Sequence, residues 1–216
     1  MIGRLLPAAV SSADTREDAP PGTLFPEEEA LVAASVPSRQ REFAAVRGCA
    51  RRAMSGLGLP PAPVLNGTRG VPRWPAGVVG SMTHCAGYRA AALARATEFR
   101  GLGIDAEPNA PLPSGILDSI ALASELRRLR ERPLPVGVHE DRLLFSAKES
   151  VFKTWFPLTR IELDFHDADI TFHPATPTEG TLTARLLRTV PELPARFDGR
   201  WIVHEGIAAT AITLPV

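Results

Sequence analysis

The stretch Leu102-Gly103-Ile104-Asp105-Ala106-Glu107 constrains this chain more than any other. An apolar run that ends in two carboxylates separated by one residue reads as a β-strand, and in a strand residues i and i+2 share a face. Asp105 and Glu107 then project together and offer their oxygens to one point, a donor set that suits a hard cation such as Mg²⁺. Ile104 faces the other way and can be core, while Gly103 permits close approach of another backbone. Taken alone, an acidic pair is more often a solvated strand end, so its meaning depends on what else the chain carries.

A second cluster, Phe145-Ser146-Ala147-Lys148-Glu149-Ser150-Val151-Phe152-Lys153, lies on a helical pattern. Leu143, Ala147, Val151 and Trp155 repeat every four residues and define a buried stripe over residues 139–156, with Pro157 expected to end the helix. Glu149 and Lys153 are one turn apart, and an exposed pair of that kind contributes only tenths of a kcal/mol. Phe145 stands one turn before Glu149, so the same face carries an aromatic, a carboxylate and an ammonium. Such a face is half buried, where carboxylates and lysines acquire useful pKa values.

Two further groups complete the chemistry. In Gly80-Ser81-Met82-Thr83-His84-Cys85, two hydroxyls and an imidazole offer several donors over a short span, which suits phosphate oxygens; a lone strand histidine is otherwise more often structural. Ser81 is not in a nucleophile elbow and His84 has no local partner, which excludes a hydrolase triad. A helix over residues 38–55, capped by Ser38 and ended by Gly56 and Gly58, carries Arg39, Arg41, Arg47, Arg51 and Arg52. Arg39 and Arg47 lie about two turns apart on nearly one face, where guanidinium groups can grip phosphates or merely stay solvated. The chain has neither a Gly-x-x-x-x-Gly-Lys-Ser/Thr loop nor a Gly-x-Gly-x-x-Gly fingerprint, which argues against the common nucleotide folds.

The remaining expectations are coarse. Residues 11–23 read as a loop, 26–36 as a short helix, 78–93 as a hairpin split at Ala86-Gly87, and 100–107 as a strand. A proline-rich break at 108–113 precedes helical patterning over 114–132. Strands are expected at 160–165, 168–173, 181–188, 199–204 and 207–213, and no internal repeat stands out. The 21 prolines are scattered between periodic segments rather than gathered in one tract, so they signal coding bias and not disorder. The 216 residues suffice for one large domain or two small ones, and 44% hydrophobic content supports a packed core. Lys+Arg and Asp+Glu balance at 24 each, against a general nucleic-acid or anionic-membrane binder. The amino-terminal stretch lacks the pattern of a secretory leader, so a cytoplasmic location is expected, with Cys49 and Cys85 as free, buried thiols.

Together these residues resemble the 4′-phosphopantetheinyl transferase superfamily, in its larger single-chain branch of surfactin and enterobactin type. That family is marked by a Gly-Ile-Asp-x-Glu strand, present as residues 103–107, and a Trp/Phe-x-x-Lys-Glu-Ser/Ala-x-x-Lys helix, present as residues 145–153. A Ser-x-Ser/Thr-His strand after a basic Gly/Pro segment stands as Ser81-Met82-Thr83-His84 following Arg69-Gly70-Val71-Pro72-Arg73-Trp74-Pro75. The resemblance runs over residues 36–158 and is closest to the actinobacterial and enterobactin-type enzymes. Asn66 stands where some members place a lysine toward coenzyme A, and Arg69 or Arg73 is the expected substitute.

The resemblance implies an α+β fold of two similar halves, residues 1–107 and 108–216, each a small antiparallel sheet on a long helix, with the active site in the cleft between them. It implies transfer of phosphopantetheine from coenzyme A to a serine of an apo acyl or peptidyl carrier protein, with release of adenosine 3′,5′-bisphosphate. Asp105, Glu107 and Glu149 are the implied ligands of Mg²⁺, or of Mn²⁺. Glu149 is the implied base, while Lys148 and Lys153 steady phosphate charge. Arg39, Arg47, Ser81, Thr83 and His84 are implied to hold coenzyme A, together with Arg69 or Arg73. A monomer without nucleic-acid or membrane partners is implied. A phosphohydrolase of coenzyme A-like pyrophosphates and a non-catalytic coenzyme A-binding module are the alternatives.

Overall fold

Two twenty-residue helices, α2 (Pro37–Gly56) and α5 (Glu140–Thr159), are each laid across an antiparallel sheet. The computed structural model describes residues 1–20 and 22–216. The first sheet has strand order β1-β5-β4, from β1 (Ser11–Thr15), β4 (Val78–Cys85) and β5 (Tyr88–Arg95). The second has order β6-β10-β9-β8-β7. It is built from β6 (Phe99–Pro108), β7 (Ala168–Pro174), β8 (Glu179–Leu186), β9 (Arg196–His204) and β10 (Ile207–Pro215). Between α2 and β4 a short hairpin of β2 (Leu65–Asn66) and β3 (Pro72–Arg73) projects beside the cleft. The smaller helices are α1 (Pro26–Val32), α3 (Ile116–Ile120) and α4 (Ala123–Glu131). The fold is α+β with antiparallel sheets, as the motifs imply. No helix among the described residues is long and apolar enough to cross a membrane.

Side-chain alternation stacks these parts as helix, sheet, sheet, helix. Central strand β5 is alanine-rich and buried on both faces. Its Ala91 and Leu93 pack on α2 through Cys49, Ala50, Ala53 and Met54. Its Ala90, Ala92 and Ala94 pack on Leu102, Ile104 and Ala106 of β6 and on Ala209 and Ala211 of β10. The other face of the second sheet carries Ile170, Leu182, Phe197 and Trp201 and receives the stripe Leu143, Ala147, Val151 and Trp155 of α5. At Gly103 α5 crosses so closely that an added Cβ would sit 2.1 Å from the Ser150 carbonyl. That approach sets the helix directly against the strand face from which Asp105 and Glu107 emerge.

Several sequence expectations need correction. Part of the presumed loop 11–23 is strand β1, in register with β5 from Ser11↔Leu93 to Thr15↔Arg89; Pro21 lies outside the described residues. Its polar, small side chains carry no apolar alternation, and backbone pairing alone makes it a strand. Ser38 does not cap α2: Pro37 occupies the first helical position after an extended Val36, with its φ already set for the turn. Segment 114–132 divides into α3 and α4, because the Leu122 amide donates to Glu125 and starts a new helix. Segment 160–165 is not a strand. Arg160 is left-handed at φ 58° and a 3-10 turn follows at Phe165–Asp167, capped by Asp164. Pro157 does not end α5 but sits in its last turn, where few intrahelical bonds remain to be broken. Cys49 is buried and free, whereas Cys85 is only half buried.

Candidate active site

Strands β4 and β6 run side by side at the junction of the two sheets without a backbone ladder. Two hydroxyls bridge the gap instead. Ser81 Oγ accepts from the Ile104 amide at 3.1 Å, and Thr83 Oγ1 accepts from the Ala106 amide at 3.1 Å. Both side chains are buried. Their oxygens satisfy amides that β6 would otherwise bury without partners, and Ser81 also lines the cavity over β4.

Strand β4 floors a cavity of about 380 Å³, whose lining includes Glu149 but not Asp105 or Glu107 of β6. Helix α2 supplies Arg39, Phe43 and Arg47 to one wall, and α5 supplies Glu149, Phe152 and Lys153 to the other. The hairpin adds Asn66 and Arg69, and β4 adds Met82 and His84. Arg47 is buried at 4% exposure. Its guanidinium lies over the Phe43 ring, 3.1 Å from the centroid, with Nε donating to the Val64 carbonyl at 3.2 Å and Nη2 to Asn66 Oδ1 at 3.0 Å. Burial draws its pKa down to about 10, so it stays cationic at neutral pH. Arg39 reaches His84 Nε2 from the opposite end of the wall. Desolvation at the cleft, then the Arg39 charge, hold the His84 imidazole below its usual pKa, although the residue as a whole is exposed. Arg39 and Arg47 make this wall cationic.

The carboxylates stand on the α5 side. Lys153 Nζ donates to Asp105 Oδ1 at 2.7 Å, and Arg142 Nη1 to Glu107 Oε2 at 3.1 Å. Burial pushes the Glu107 carboxyl up, the neighbouring Asp105 charge adds to this, and Arg142 partly offsets it. Burial likewise raises Glu149; Lys153 opposes that and Asp105 reinforces it. Asp105 Oδ2 is buried without a hydrogen-bond partner. Among the described residues no three His, Cys, Asp or Glu side chains are gathered closely enough to hold a metal ion as they stand. The protein's own cations, Lys153 and Arg142, stand at Asp105 and Glu107. A divalent cation nonetheless fits this donor set. One buried oxygen lacks a partner, and the carboxyls of Glu107 and Glu149 are raised by burial first, with the Asp105 charge adding to it.

Not every expected residue joins the cavity. Lys148 turns away from it. Its ammonium is 1% exposed, pairs with Glu125 at 2.9 Å, and donates to the Phe165 and Ala168 carbonyls at 2.6 and 3.0 Å. The Glu125 carboxylate also accepts from the amides of Leu122 and Ile170. Lys148 is therefore a structural cation tying α5 to α4 and β7, not a phosphate ligand. Arg73 lies on an adjoining cavity of about 710 Å³ beside Trp74. Arg69 lines the main cavity, but its guanidinium is engaged in a two-point pair with Glu162, at 2.8 and 2.9 Å. Sequence reasoning missed Arg142, Phe43 and Glu125. Arg142 could have been found, since it lies seven residues before Glu149 and so on the same helical face. Burial and the charges of Glu107 and Asp105 push the Cys85 thiol up to about 12, which disfavours its thiolate.

Known proteins place this arrangement. Residues 27–94 match the family described as 4′-phosphopantetheinyl transferase N-terminal domain, and residues 101–203 match the 4′-phosphopantetheinyl transferase superfamily. The chain is 53% identical over 225 residues to the 4′-phosphopantetheinyl transferase Svp of Streptomyces mobaraensis, covering 99% of this chain and 89% of that one. It is 46% identical to PptT of Mycobacterium tuberculosis, with coverage of 99% and 98%. It is also 46% identical to Npt of Nocardia iowensis, with coverage of 98% and 99%. Both are likewise named 4′-phosphopantetheinyl transferases. With both family matches and near-complete alignment to these enzymes, the chain belongs to the 4′-phosphopantetheinyl transferase superfamily.

Proposed function

We propose that this transferase moves 4′-phosphopantetheine from coenzyme A to a serine hydroxyl of an apo acyl or peptidyl carrier protein, with the cleft between α2 and α5 as its active site. One observation carries the reading: arginines and a histidine on one wall face a carboxylate and a lysine on the other across a single cavity. The cationic wall suits the phosphates of coenzyme A, and the α5 wall suits the chemistry. We divide the chain into halves 1–107 and 108–216, with β6 of the first half lying in the sheet of the second. Strand β6 ties them by bonding to β10 at the edge of the second sheet.

In this reading Arg39, Arg47 and His84 hold coenzyme A phosphates by charge-assisted hydrogen bonds. Asp105, Glu107 and Glu149 hold the divalent cation, Mg²⁺ with Mn²⁺ as substitute. When bound, it neutralises charge on the pyrophosphate oxygens. Glu149 takes the proton from the incoming serine hydroxyl, directly or through water. In the metal-free protein burial raises its pKa, which favours taking up a proton. The serine oxygen forms a bond to the phosphorus that carries pantetheine, and the bond from that phosphorus to the bridging oxygen breaks. Adenosine 3′,5′-bisphosphate leaves, its new negative charge met by Lys153.

Both walls come from one chain, so a monomer suffices. Zero formal charge supports a small-molecule and carrier partnership rather than nucleic acid. Two free cysteines accord with the reducing cytoplasm, and polyketide, fatty-acid, siderophore or other peptide-synthetase carriers are the candidate acceptors. The test is mass spectrometry of an apo carrier incubated with the enzyme, coenzyme A and Mg²⁺. A carrier heavier by one phosphopantetheine group supports the transferase. Consumption of coenzyme A with an unmodified carrier would instead identify a phosphohydrolase, and binding without turnover a coenzyme A-binding module.

A further inference from the structure

Asp105 is held from one side only. Lys153 Nζ and Thr83 Oγ1 both donate to Oδ1, at 2.7 and 3.2 Å, while Oδ2 is buried with no partner. The carboxylate is 4% exposed, so water does not freely complete it. The sense of the Thr83 contact is fixed by its other bond. A hydroxyl has one proton, and Thr83 Oγ1 already accepts from the Ala106 amide at 3.1 Å, which leaves that proton for Asp105. Backbone and carboxylate are thus locked through one side chain from a neighbouring sheet.

We infer that Thr83 is a positioning residue for the metal ligand Asp105: by pinning Oδ1, it leaves Oδ2 as the oxygen presented to the divalent cation. The inference rests on the transferase reading of the site. Ligating carboxylates are commonly hydrogen-bonded on their free side, and losing such a partner typically costs about 10–100-fold in metal affinity. Ser81 provides the contrast within the same strand. It makes the equivalent seam bond to the Ile104 amide, but the residue before that amide is Gly103, where Asp105 stands before the Ala106 amide, so Ser81 has no carboxylate to orient. A purely structural seam would make the two hydroxyls interchangeable. An orienting role makes only Thr83 matter for the metal.

The test is Mn²⁺ binding to the coenzyme A complex, without carrier, followed by the loss of free-ion signal in electron paramagnetic resonance. Thr83→Val keeps the shape and removes the hydroxyl, so it should weaken Mn²⁺ binding by about tenfold or more. Thr83→Ser should restore it, and Ser81→Ala should leave it near wild type. Equal weakening in Thr83→Val and Ser81→Ala, or none in either, would overturn the inference. Should Thr83→Val not fold, Thr83→Cys retains volume with a weak donor and serves the same comparison. Wild-type transfer to an apo carrier is measured alongside. Its absence would count against the transferase reading itself, whereas wild-type transfer with unaltered Mn²⁺ binding in Thr83→Val would remove only the role given to Thr83.

Discussion

Helices α2 and α5 are equal in length and face the same cavity, yet they use their charges in opposite ways. Toward the cavity α2 presents arginines: Arg47 is held by neutral groups, an aromatic face, a carbonyl and an amide, and Arg39 by His84 and the Glu42 carboxylate. Helix α5 sends successive charges in different directions. Lys148 goes inward to Glu125, Glu149 goes to the cavity, and Lys153 goes to Asp105. The difference separates binding from chemistry. A wall of fixed cations recognises an anion in any protonation state of the enzyme, whereas a carboxylate raised by burial beside an ammonium can take up a proton. Neighbours in sequence can therefore play unrelated roles, since Lys148 and Glu149 stand about 100° apart around the helix.

The two lysines of α5 give the largest way to break this comparison. Lys148→Met strands the Glu125 carboxylate in the core, and removing one member of a buried pair costs about 3–5 kcal/mol. Chemical denaturation should show that loss, and Glu125→Gln in the same chain should recover part of it. Lys153 is partly exposed and Asp105 keeps the Thr83 hydrogen bond, so Lys153→Met should cost clearly less stability than Lys148→Met while transfer falls. Equal stability loss in both variants would contradict the inward role assigned to Lys148.

On the α2 side, Arg47→Ala should raise the coenzyme A dissociation constant about tenfold or more, since a charge-assisted bond to a desolvated anion contributes roughly 1.5–3 kcal/mol. Comparing coenzyme A with 3′-dephospho-coenzyme A sharpens the prediction. If Arg47 grips the 3′-phosphate, the wild type discriminates between the two and the variant does so less. Equal affinities in the wild type would remove that assignment.

A smaller effect concerns protons. His84 in the free protein has a lowered pKa, through desolvation first and the Arg39 charge second. A bound phosphate opposes the cationic contribution and raises the imidazole pKa. Binding therefore takes up protons, and the His84 contribution to affinity grows as pH falls through the ordinary imidazole value of about 6.5. Calorimetric titration of coenzyme A in buffers of unlike ionisation heat should show proton uptake in the wild type that is diminished in His84→Asn. Identical uptake in both would exclude His84 as the group responsible.

How much of this is legible in the sequence depends on where each partner lies. The alternation in Gly103 to Glu107 places Asp105 and Glu107 correctly because a strand's period is local. The α5 stripe is local too, and Lys148 itself falls four residues after Leu144 and three before Val151, a buried position in plain view. Its partner is not legible, because Glu125 lies on another helix. Ser81 and Thr83 read as ligand donors in the sequence because their acceptor role toward β6 exists only once two sheets meet. Strand β1 is hidden for a related reason: its pairing with β5 is a backbone property that its small polar side chains do not announce.

The division of labour between the two helices is tested most directly with Glu149→Gln, which keeps the shape of the side chain and removes its charge. Coenzyme A is titrated into the variant, and transfer to an apo carrier is followed at saturating coenzyme A and Mg²⁺. The account predicts coenzyme A affinity close to wild type, set by the α2 wall, with turnover reduced by about 10²–10⁴-fold, the range for loss of a general base. Intact turnover with weakened coenzyme A binding would contradict it, moving Glu149 from the chemistry to substrate binding.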